Sequence, residues 1–241
     1  MLNIENLEKF TKQAQTSFIN VAREYCQHLF LSYLYRQPSS DKLLFKGGTA
    51  LRIVFLSPRY SEDLDFTGTG ISANEIEKLF ADTLADIENT GIDVEIIESK
   101  KTTGGYLGIA MFKVYGNKIP IQIEVSLRPS RGLKGIRTLI DNEYIPAYTL
   151  VHLAINDIIN GKMQALYLRK KPRDFYDYFF LLSGNYPIVK EKGNLQKVME
   201  LAGKEDINFR NELKKFLPAS HATYLKDFKK TLEDKIKTYL S

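Results

Sequence analysis

Apolar residues follow two different periods along the first half of the chain. Leu7, Phe10, Ala14 and Phe18 recur every three or four positions, which predicts helix over the first 37 residues, with Asn6 as a candidate cap. The downstream pattern predicts a strand at 43–45, a helix at 49–56, a strand at 62–66, a helix from a Ser72/Glu75 capping box to about residue 89, and strands at 92–98, 106–115 and 119–128. Helices and strands in this order indicate an α+β fold with a mixed sheet.

The pattern changes after Pro129. A basic loop containing Arg128, Arg131, Lys134 and Arg137 leads to Thr149, a candidate helix cap. The remaining residues are predicted to be helical at 149–168, 172–182, 194–203, 206–216 and 221–240. We therefore expect two domains: residues 1–145, with the sheet and the N-terminal helix, and residues 146–241, a helical bundle.

The segment 59–66 reads Arg-Tyr-Ser-Glu-Asp-Leu-Asp-Phe. On a strand, Asp63 and Asp65 share one face while Leu64 and Phe66 occupy the other, which can pack into the core. Two carboxylates this close repel each other unless a cation is bound. A hard divalent ion such as Mg²⁺ or Mn²⁺ takes oxygen ligands of this kind. The alternative is a solvated, acidic strand end.

A third carboxylate, Glu124, is the only acid on the polar face of the predicted strand 119–125, where Ile and Val alternate with polar residues. If this strand lies beside the strand of Asp63 and Asp65, the three carboxylates converge. Such a set suits metal-assisted displacement at a phosphate. An exposed glutamate on a half-buried strand is the alternative.

Gly47, Gly48 and Thr49 join a predicted strand to a predicted helix, directly after Lys46. Glycine lets the backbone approach a ligand closely, and free backbone N–H groups at the start of a helix favour phosphate. The spacing is not that of a Walker A loop. A simple tight turn is the alternative.

Basic residues cluster again in the helical half. Lys162 and Arg169 are seven residues apart, so they share a face if the helix is continuous. Lys and Arg are the side chains expected against triphosphate oxygens. The alternatives are a solvated basic face and, for Arg173 and Asp177, a structural ion pair at i,i+4. The nearby aromatic run Tyr176, Tyr178, Phe179 and Phe180 is typical of a helix core, with base stacking as the alternative.

Three blocks in this order resemble the AbiEii/AbiGii toxin family: Lys-Gly-Gly-Thr-Ala-Leu at 46–51, the segment 59–66, and Lys162 followed by Arg169 and Arg-Asp-Phe-Tyr-Asp at 173–177. The resemblance covers roughly residues 40–183. It implies a DNA-polymerase-β-like nucleotidyltransferase core with a mixed sheet, followed by a helical C-terminal domain. It further implies metal-dependent transfer of a nucleotide from an NTP. Characterised relatives are toxins of toxin–antitoxin and abortive-infection systems, and some add nucleotides to tRNA acceptor ends.

The resemblance also assigns roles to single residues. It places nucleotide contacts at Gly47, Gly48, Thr49 and Ser61, metal ligands at Asp63 and Asp65, the family's essential lysine at Lys162, and the aspartate of its Arg-Asp motif at Asp174. Glu124 fits the third acid by position, where aspartate is more usual. Arg169 is expected to join Lys162 at the triphosphate. Asp174 is expected to orient one of these two cations, or to act as the base toward the acceptor hydroxyl.

Composition narrows the class of protein. The 241 residues are 44% hydrophobic and 26% charged, which excludes bulk disorder. No apolar run approaches the ~20 residues of a membrane span, and no secretory signal is visible at the N-terminus. A single cysteine, Cys26, excludes an internal disulfide framework and a cysteine-based zinc site. We expect a cytoplasmic location.

Charge and the resemblance together suggest the partners. The net charge of +5 suits a polyanion, so we expect an RNA acceptor, most simply tRNA, besides the NTP and a cognate antitoxin. Two other functions use the same residues. One is kinase-like phosphoryl transfer to a protein, and the other is a non-catalytic binding module that regulates a partner.

Overall fold

The computed structural model describes residues 2–128, 132–204 and 207–240. The chain forms two compact units, which we describe separately. The sheet unit comprises Met1–Leu56 and Tyr60–Ala154, and the helical unit comprises Ser57–Arg59 and Ile155–Ser241.

The sheet unit contains helices and strands in mixed order. Its helices are α1 (Ile4–Gln13), α2 (Phe18–Leu34), α3 (Gly47–Ile53) and α4 (Ala73–Glu88). Its strands are β1 (Leu43–Lys46), β2 (Leu64–Gly68), β3 (Asp93–Thr102), β4 (Gly105–Val114), β5 (Asn117–Ser126), β6 (Gly135–Ile140) and β7 (Tyr148–Leu153).

These strands form one sheet in the order β3-β4-β5-β2-β1-β7-β6. The pairs β2/β5 and β1/β7 are parallel, while the other neighbouring strands are antiparallel. The predicted α+β class with a mixed sheet is therefore confirmed. Leu64 and Phe66 of β2 are fully buried, as the alternation predicts, and the Phe66 ring lies 5.4 Å from that of Phe45 in β1.

Local capping chemistry determines where the first helices begin. The Ser72/Glu75 capping box of α4 is present as predicted. The prediction of one helix over the first 37 residues is wrong, because the chain turns at Gln15, where φ is +50°, and Ser17 caps a new helix. Asn3, rather than Asn6, caps α1, since its side chain accepts a hydrogen bond from the Asn6 backbone N–H.

Two strands replace predicted loop and helix. Part of the basic loop forms β6, and the predicted helical segment that begins at Thr149 starts instead as β7. Tyr148–Leu153 pairs with β6 on one side and with β1 on the other, where His152 lies opposite Phe45. Pairing with the nearby β6 and with β1, about 100 residues away in sequence, overrides the local prediction of a helix cap at Thr149. Arg131 of the predicted loop lies outside the described residues.

The helical unit contains α5 (Ile155–Arg169), α6 (Pro172–Ser183), α7 (Lys192–Lys204), α8 (Phe209–Leu213), α9 (Ala222–Lys226) and α10 (Phe228–Leu240). Pro172 occupies the first turn of α6, where a missing backbone N–H costs nothing. Phe175, Phe209 and Phe228 form an aromatic core between α6, α8 and α10. Within the described residues, no helix is long and apolar enough to cross a membrane.

Candidate active site

Three charged side chains stand at matching positions on adjacent strands. Asp65 of β2 lies opposite Lys46 of β1 in the antiparallel register and opposite Glu124 of β5 in the parallel register. In β2 and β5 the apolar residues alternate into the core, so Asp65 and Glu124 face away from it. Lys46 ends the buried strand β1 opposite Asp65 and is partly exposed. Strands β5 and β2 are thus neighbours, which was the condition for Asp65 and Glu124 to converge.

Lys46, Asp65 and Glu124 line one pocket of about 440 Å³, together with Tyr106, Ser126, Arg128 and residues near them. Burial lowers the pKa of Lys46, and the carboxylate of Asp65 opposes that shift. The Gln122 amide donates to Glu124 Oε1 at 2.7 Å, which fixes one oxygen of that carboxylate. The pocket therefore holds two acids between two cations, an arrangement suited to a charged ligand.

Gly47 makes room for the Asp65 carboxylate. A methyl group added at Gly47 would lie 2.1 Å from Asp65 Oδ2, and the glycine has φ +84°. Both the space and the left-handed backbone exclude a side chain there. We expected a ligand to approach the backbone closely at this glycine. In the structure, the Asp65 carboxylate makes such an approach.

The loop that leads into β2 is held by its carbonyl groups. The Gln27 amide of α2 donates to the carbonyls of Ser61 and Glu62, each at 3.0 Å. The buried Thr49 hydroxyl of α3 donates to the carbonyl of Asp63. Three consecutive carbonyls are thus anchored by two helices. Ser61 enters the site through its backbone, and Thr49 positions the segment that carries Asp63 and Asp65.

In the helical unit, Lys162 belongs to a buried charge network. Its ammonium lies 2.7 Å from Asp177 Oδ2, and Arg59 donates to both Asp177 oxygens at 2.8 and 3.0 Å. Burial alone would raise the pKa of Asp177, but Arg59 and then Lys162 outweigh it and hold that pKa at about 2. The alternative pairing of Arg173 with Asp177 is not the one formed, since Arg173 lies 3.9 Å from Glu212 instead.

Asp174 and Arg169 form a second pair. Arg169 Nη2 lies 2.6 Å from Asp174 Oδ1, and Asp174 Oδ2 accepts from the Lys171 backbone N–H at 3.2 Å. Asp174 is 1% exposed, so it serves both as the cap of α6 and as the anchor of Arg169. Of the two cations expected beside Asp174, the structure places Arg169 there, while Lys162 lies against Asp177.

With this geometry in place, the sequence model described as "Nucleotidyl transferase AbiEii toxin, Type IV TA system" matches residues 29–240. The chain belongs to the AbiEii family. It is therefore a nucleotidyltransferase of a toxin family, as the motifs predict, and membership of a type IV toxin–antitoxin family implies an antitoxin partner.

Two crystal structures share the AbiEii chain's fold. JHP933 from Helicobacter pylori is 20% identical, with a TM-score of 0.58 over 92% of this chain and 95% of JHP933. A candidate nucleotidyltransferase from H. pylori is 18% identical, with a TM-score of 0.55 over 90% of this chain and 96% of that one. These similarities support the predicted nucleotidyltransferase core and its helical C-terminal region. No protein with a curated description is significantly similar in sequence.

The carboxylates of this AbiEii chain fit a magnesium ion only if the substrate completes its coordination. Within residues 2–128, 132–204 and 207–240, no group of three or more His, Cys, Asp and Glu side chains is arranged to hold a metal. Asp63 is not among the described residues that line the pocket, which contains Asp65 and Glu124. Proteins commonly bind Mg²⁺ through one or two carboxylates plus substrate phosphates. Two strand-borne carboxylates beside a roomy pocket suit that mode.

Sequence reasoning overlooked several residues that shape these sites. Arg59 and Asp177 both lie inside the motif segments, so the motifs already pointed to these residues. Their ion pair was not predictable, because the two residues are 118 positions apart in sequence. Arg128 was assigned only to a basic loop, although it lines the pocket. Gln27 lies in the middle of an apolar helix, and only its burial beside the loop carbonyls reveals its role.

Proposed function

We propose that this AbiEii chain transfers a nucleoside monophosphate from an NTP to an RNA acceptor, most simply tRNA, with Mg²⁺ or Mn²⁺. The observation that carries the proposal is the register of Lys46, Asp65 and Glu124 on three adjacent strands around one pocket. Acids and a cation placed together on rigid strands are suited to a metal–nucleotide complex.

Asp65 and Glu124, with Asp63 from the same segment, would hold the metal. When bound, the ion would neutralise phosphate charge and favour displacement at the α-phosphorus. Lys46 and the Gly47-Gly48 turn border Asp65 and so are proposed to contact the phosphates. Thr49 and Ser61 act by holding the loop. Lys162 and Arg169 are assigned to the triphosphate by family resemblance, each already oriented by a buried aspartate.

The reaction forms a bond between the acceptor hydroxyl oxygen and the α-phosphorus. The bond from that phosphorus to the bridging oxygen of the β-phosphate breaks, and pyrophosphate leaves. The hydroxyl proton passes to a base or to water. Asp174 Oδ1 accepts a hydrogen bond from Arg169, and Oδ2 accepts one from the Lys171 backbone N–H, so both oxygens of this buried carboxylate are already engaged. This contact supports the orienting role of Asp174 over that of a base.

Labelled nucleotides test the proposal directly. The chain is incubated with total RNA, Mg²⁺ and each NTP in turn, labelled at either the α- or the γ-phosphate. We expect α-label in RNA, lost with EDTA and restored by Mg²⁺ or Mn²⁺, and absent from the Asp65→Asn variant. Label transferred only from the γ-position to protein would establish the kinase-like function instead. Labelling from neither position would favour the binding module.

A further inference from the structure

The end of the helical unit carries a concentrated positive charge. Residues 207–240 contain eight basic and four acidic side chains, a net charge of +4. None of the recognised motif blocks extends into this region. Its charge therefore needs an explanation other than binding the nucleotide.

Four of these basic residues surround one pocket of about 560 Å³. Arg210 of α8, Lys226 of α9, and Lys229 and Lys230 of α10 line it, against the two acids Asp227 and Glu233. Arg210, Lys226 and Lys230 are exposed, and Phe209 and Phe228 contribute apolar surface. An excess of flexible cations around a cavity is the usual footprint of a phosphate chain.

A second pocket, of about 430 Å³, has mainly aromatic walls. Tyr176, Phe179 and Phe180 of α6 line it, together with Tyr224 of α9 and His221. The Tyr224 side chain is 54% exposed, so its ring is accessible to a ligand in this pocket. Lys235 lies over the Phe179 ring, with its ammonium 4.8 Å from the ring centroid. Flat rings beside a cation suit a planar, electron-rich group.

The two pockets adjoin through Phe228. Its ring stacks on Tyr176 at 5.8 Å and 27°, and lies 5.0 Å from Phe209 of the basic pocket. Helix α10 supplies Lys229 and Lys230 to the basic pocket and Lys235 to the aromatic one. Helix α10 and the buried Phe228 ring therefore connect the walls of the two pockets.

We infer that this surface, formed by α8, α9, α10 and the exposed side of α6, binds a single-stranded segment of the acceptor RNA. The basic pocket receives backbone phosphates, and the aromatic pocket receives an unpaired base stacked beside Tyr224. The assignment rests on the proposed function, because only an RNA acceptor requires such a surface. An acidic protein segment would match the lysines but would leave the aromatic pocket without a partner.

Binding measured without NTP tests the basic pocket. Fluorescence anisotropy of a labelled single-stranded RNA oligonucleotide is compared for wild type, K226Q/K229Q/K230Q, and the control K9Q/K12Q/K118Q, whose three lysines are exposed in the sheet unit. Both variants lose three charges. We expect the first to bind at least tenfold more weakly and to flatten the plot of log affinity against log salt by roughly two units. Equal affinities for the two variants would overturn the assignment.

Tyr224 tests the aromatic pocket. We expect Tyr224→Ala to weaken binding of the single strand roughly tenfold, and Tyr224→Phe to retain it, because stacking needs only the ring. Tyr239→Ala, an exposed tyrosine on the same unit, is the control. A blunt duplex of the same sequence should bind more weakly than the single strand. Wild-type affinity of Tyr224→Ala, or displacement of the RNA by poly-glutamate at equal charge, would contradict base binding.

The outcome separates this inference from the proposed function. Incorporation of α-label into RNA with unchanged affinity of the lysine and Tyr224 variants would leave the function standing and remove this surface. Absence of α-label from RNA, together with wild-type RNA binding that these variants do not weaken, would contradict both.

Discussion

At the scale of single residues, Gly47 and Asp65 occupy one small volume, which makes their effects interdependent. We expect Gly47→Ala to lower the free energy of unfolding by on the order of 2–3 kcal/mol, through the clash with Asp65 and the left-handed backbone. Nucleotide transfer should fall at least roughly 100-fold, because the carboxylate is displaced. Chemical unfolding and α-label incorporation measure the two effects.

The double variant isolates the clash. In the Asp65→Ala background, Gly47→Ala should cost clearly less stability, since the carboxylate that it meets is gone, while transfer stays absent. Gly203→Ala is the control, because nothing lies within 4 Å of the added methyl group and that glycine is helical. It should stabilise the chain by up to about 1 kcal/mol. If Gly47→Ala lowered the free energy of unfolding equally in both backgrounds, the contact with the Asp65 carboxylate would contribute nothing to the destabilisation.

At the scale of elements, the Thr49 hydroxyl joins helix α3 to the loop that leads into strand β2. Thr49→Val keeps the volume but leaves the Asp63 carbonyl without its donor, so we expect a loss of about 1–2 kcal/mol in the free energy of unfolding, together with reduced transfer. Thr49→Ser retains the hydroxyl and should restore most of both. If Thr49→Val instead raised only KM for the NTP and left stability unchanged, the hydroxyl would act on the nucleotide.

Elements with local signals were predictable, and those defined by distant partners were not. Ser72 and Glu75 satisfy each other within one turn, so the start of α4 could be predicted from four letters. Strands β4 and β5 meet across a two-residue turn at Tyr115 and Gly116, so their alternation sufficed. Strand β7 owes its conformation to β1, about 100 residues away in sequence, and no local pattern distinguishes it from a helix start.

At the scale of the whole molecule, two buried groups, His28 and Asp177, make folding sensitive to acid. Burial lowers the pKa of His28 to about 4, whereas an unfolded histidine titrates near 6.5. Between these values only the unfolded chain binds the proton, so stability falls by about 3 kcal/mol as the pH drops from 6.5 to 4. Asp177, with a folded pKa of about 2 against 3.8, adds a further loss of roughly 2 kcal/mol between pH 4 and 2.

Circular dichroism at a series of pH values checks this acid profile. His28→Gln should reduce the upper step, leaving the part due to His152, whose pKa burial also lowers, and should keep the lower step. Asp177→Asn should remove the lower step and destabilise the chain above about pH 4, where the wild-type carboxylate is charged, because Arg59 and Lys162 lose their buried counter-charge. A profile of His28→Gln that falls between pH 6.5 and 4 as far as that of the wild type would contradict the role of that histidine.

The sequence was sufficient to predict most residues of the candidate site, but only some of the contacts between them. Strand alternation was enough to select Asp65 and Glu124 as partners on one face, because that rule is local to each strand. The network of Arg59, Lys162 and Asp177 was not predictable, since the i,i+4 rule points to Arg173. The buried Asp177 carboxylate pairs with the cations that tertiary packing places beside it, and Arg59 and Lys162 come from two other segments of the chain.

The alternation of side chains along β2 also limits which codon insertions the gene can tolerate between Asp63 and Asp65. Inserting one codon between Asp63 and Asp65 would shift one carboxylate to the face occupied by Leu64 and Phe66, which are fully buried. Inserting two codons would preserve the alternation, leave Asp65 in the pocket and only lengthen the segment that precedes it. Single-codon insertions here should therefore be lost from a population under selection for activity, while pairs of codons retain a path back to function. The number of residues between the two aspartates must therefore remain odd.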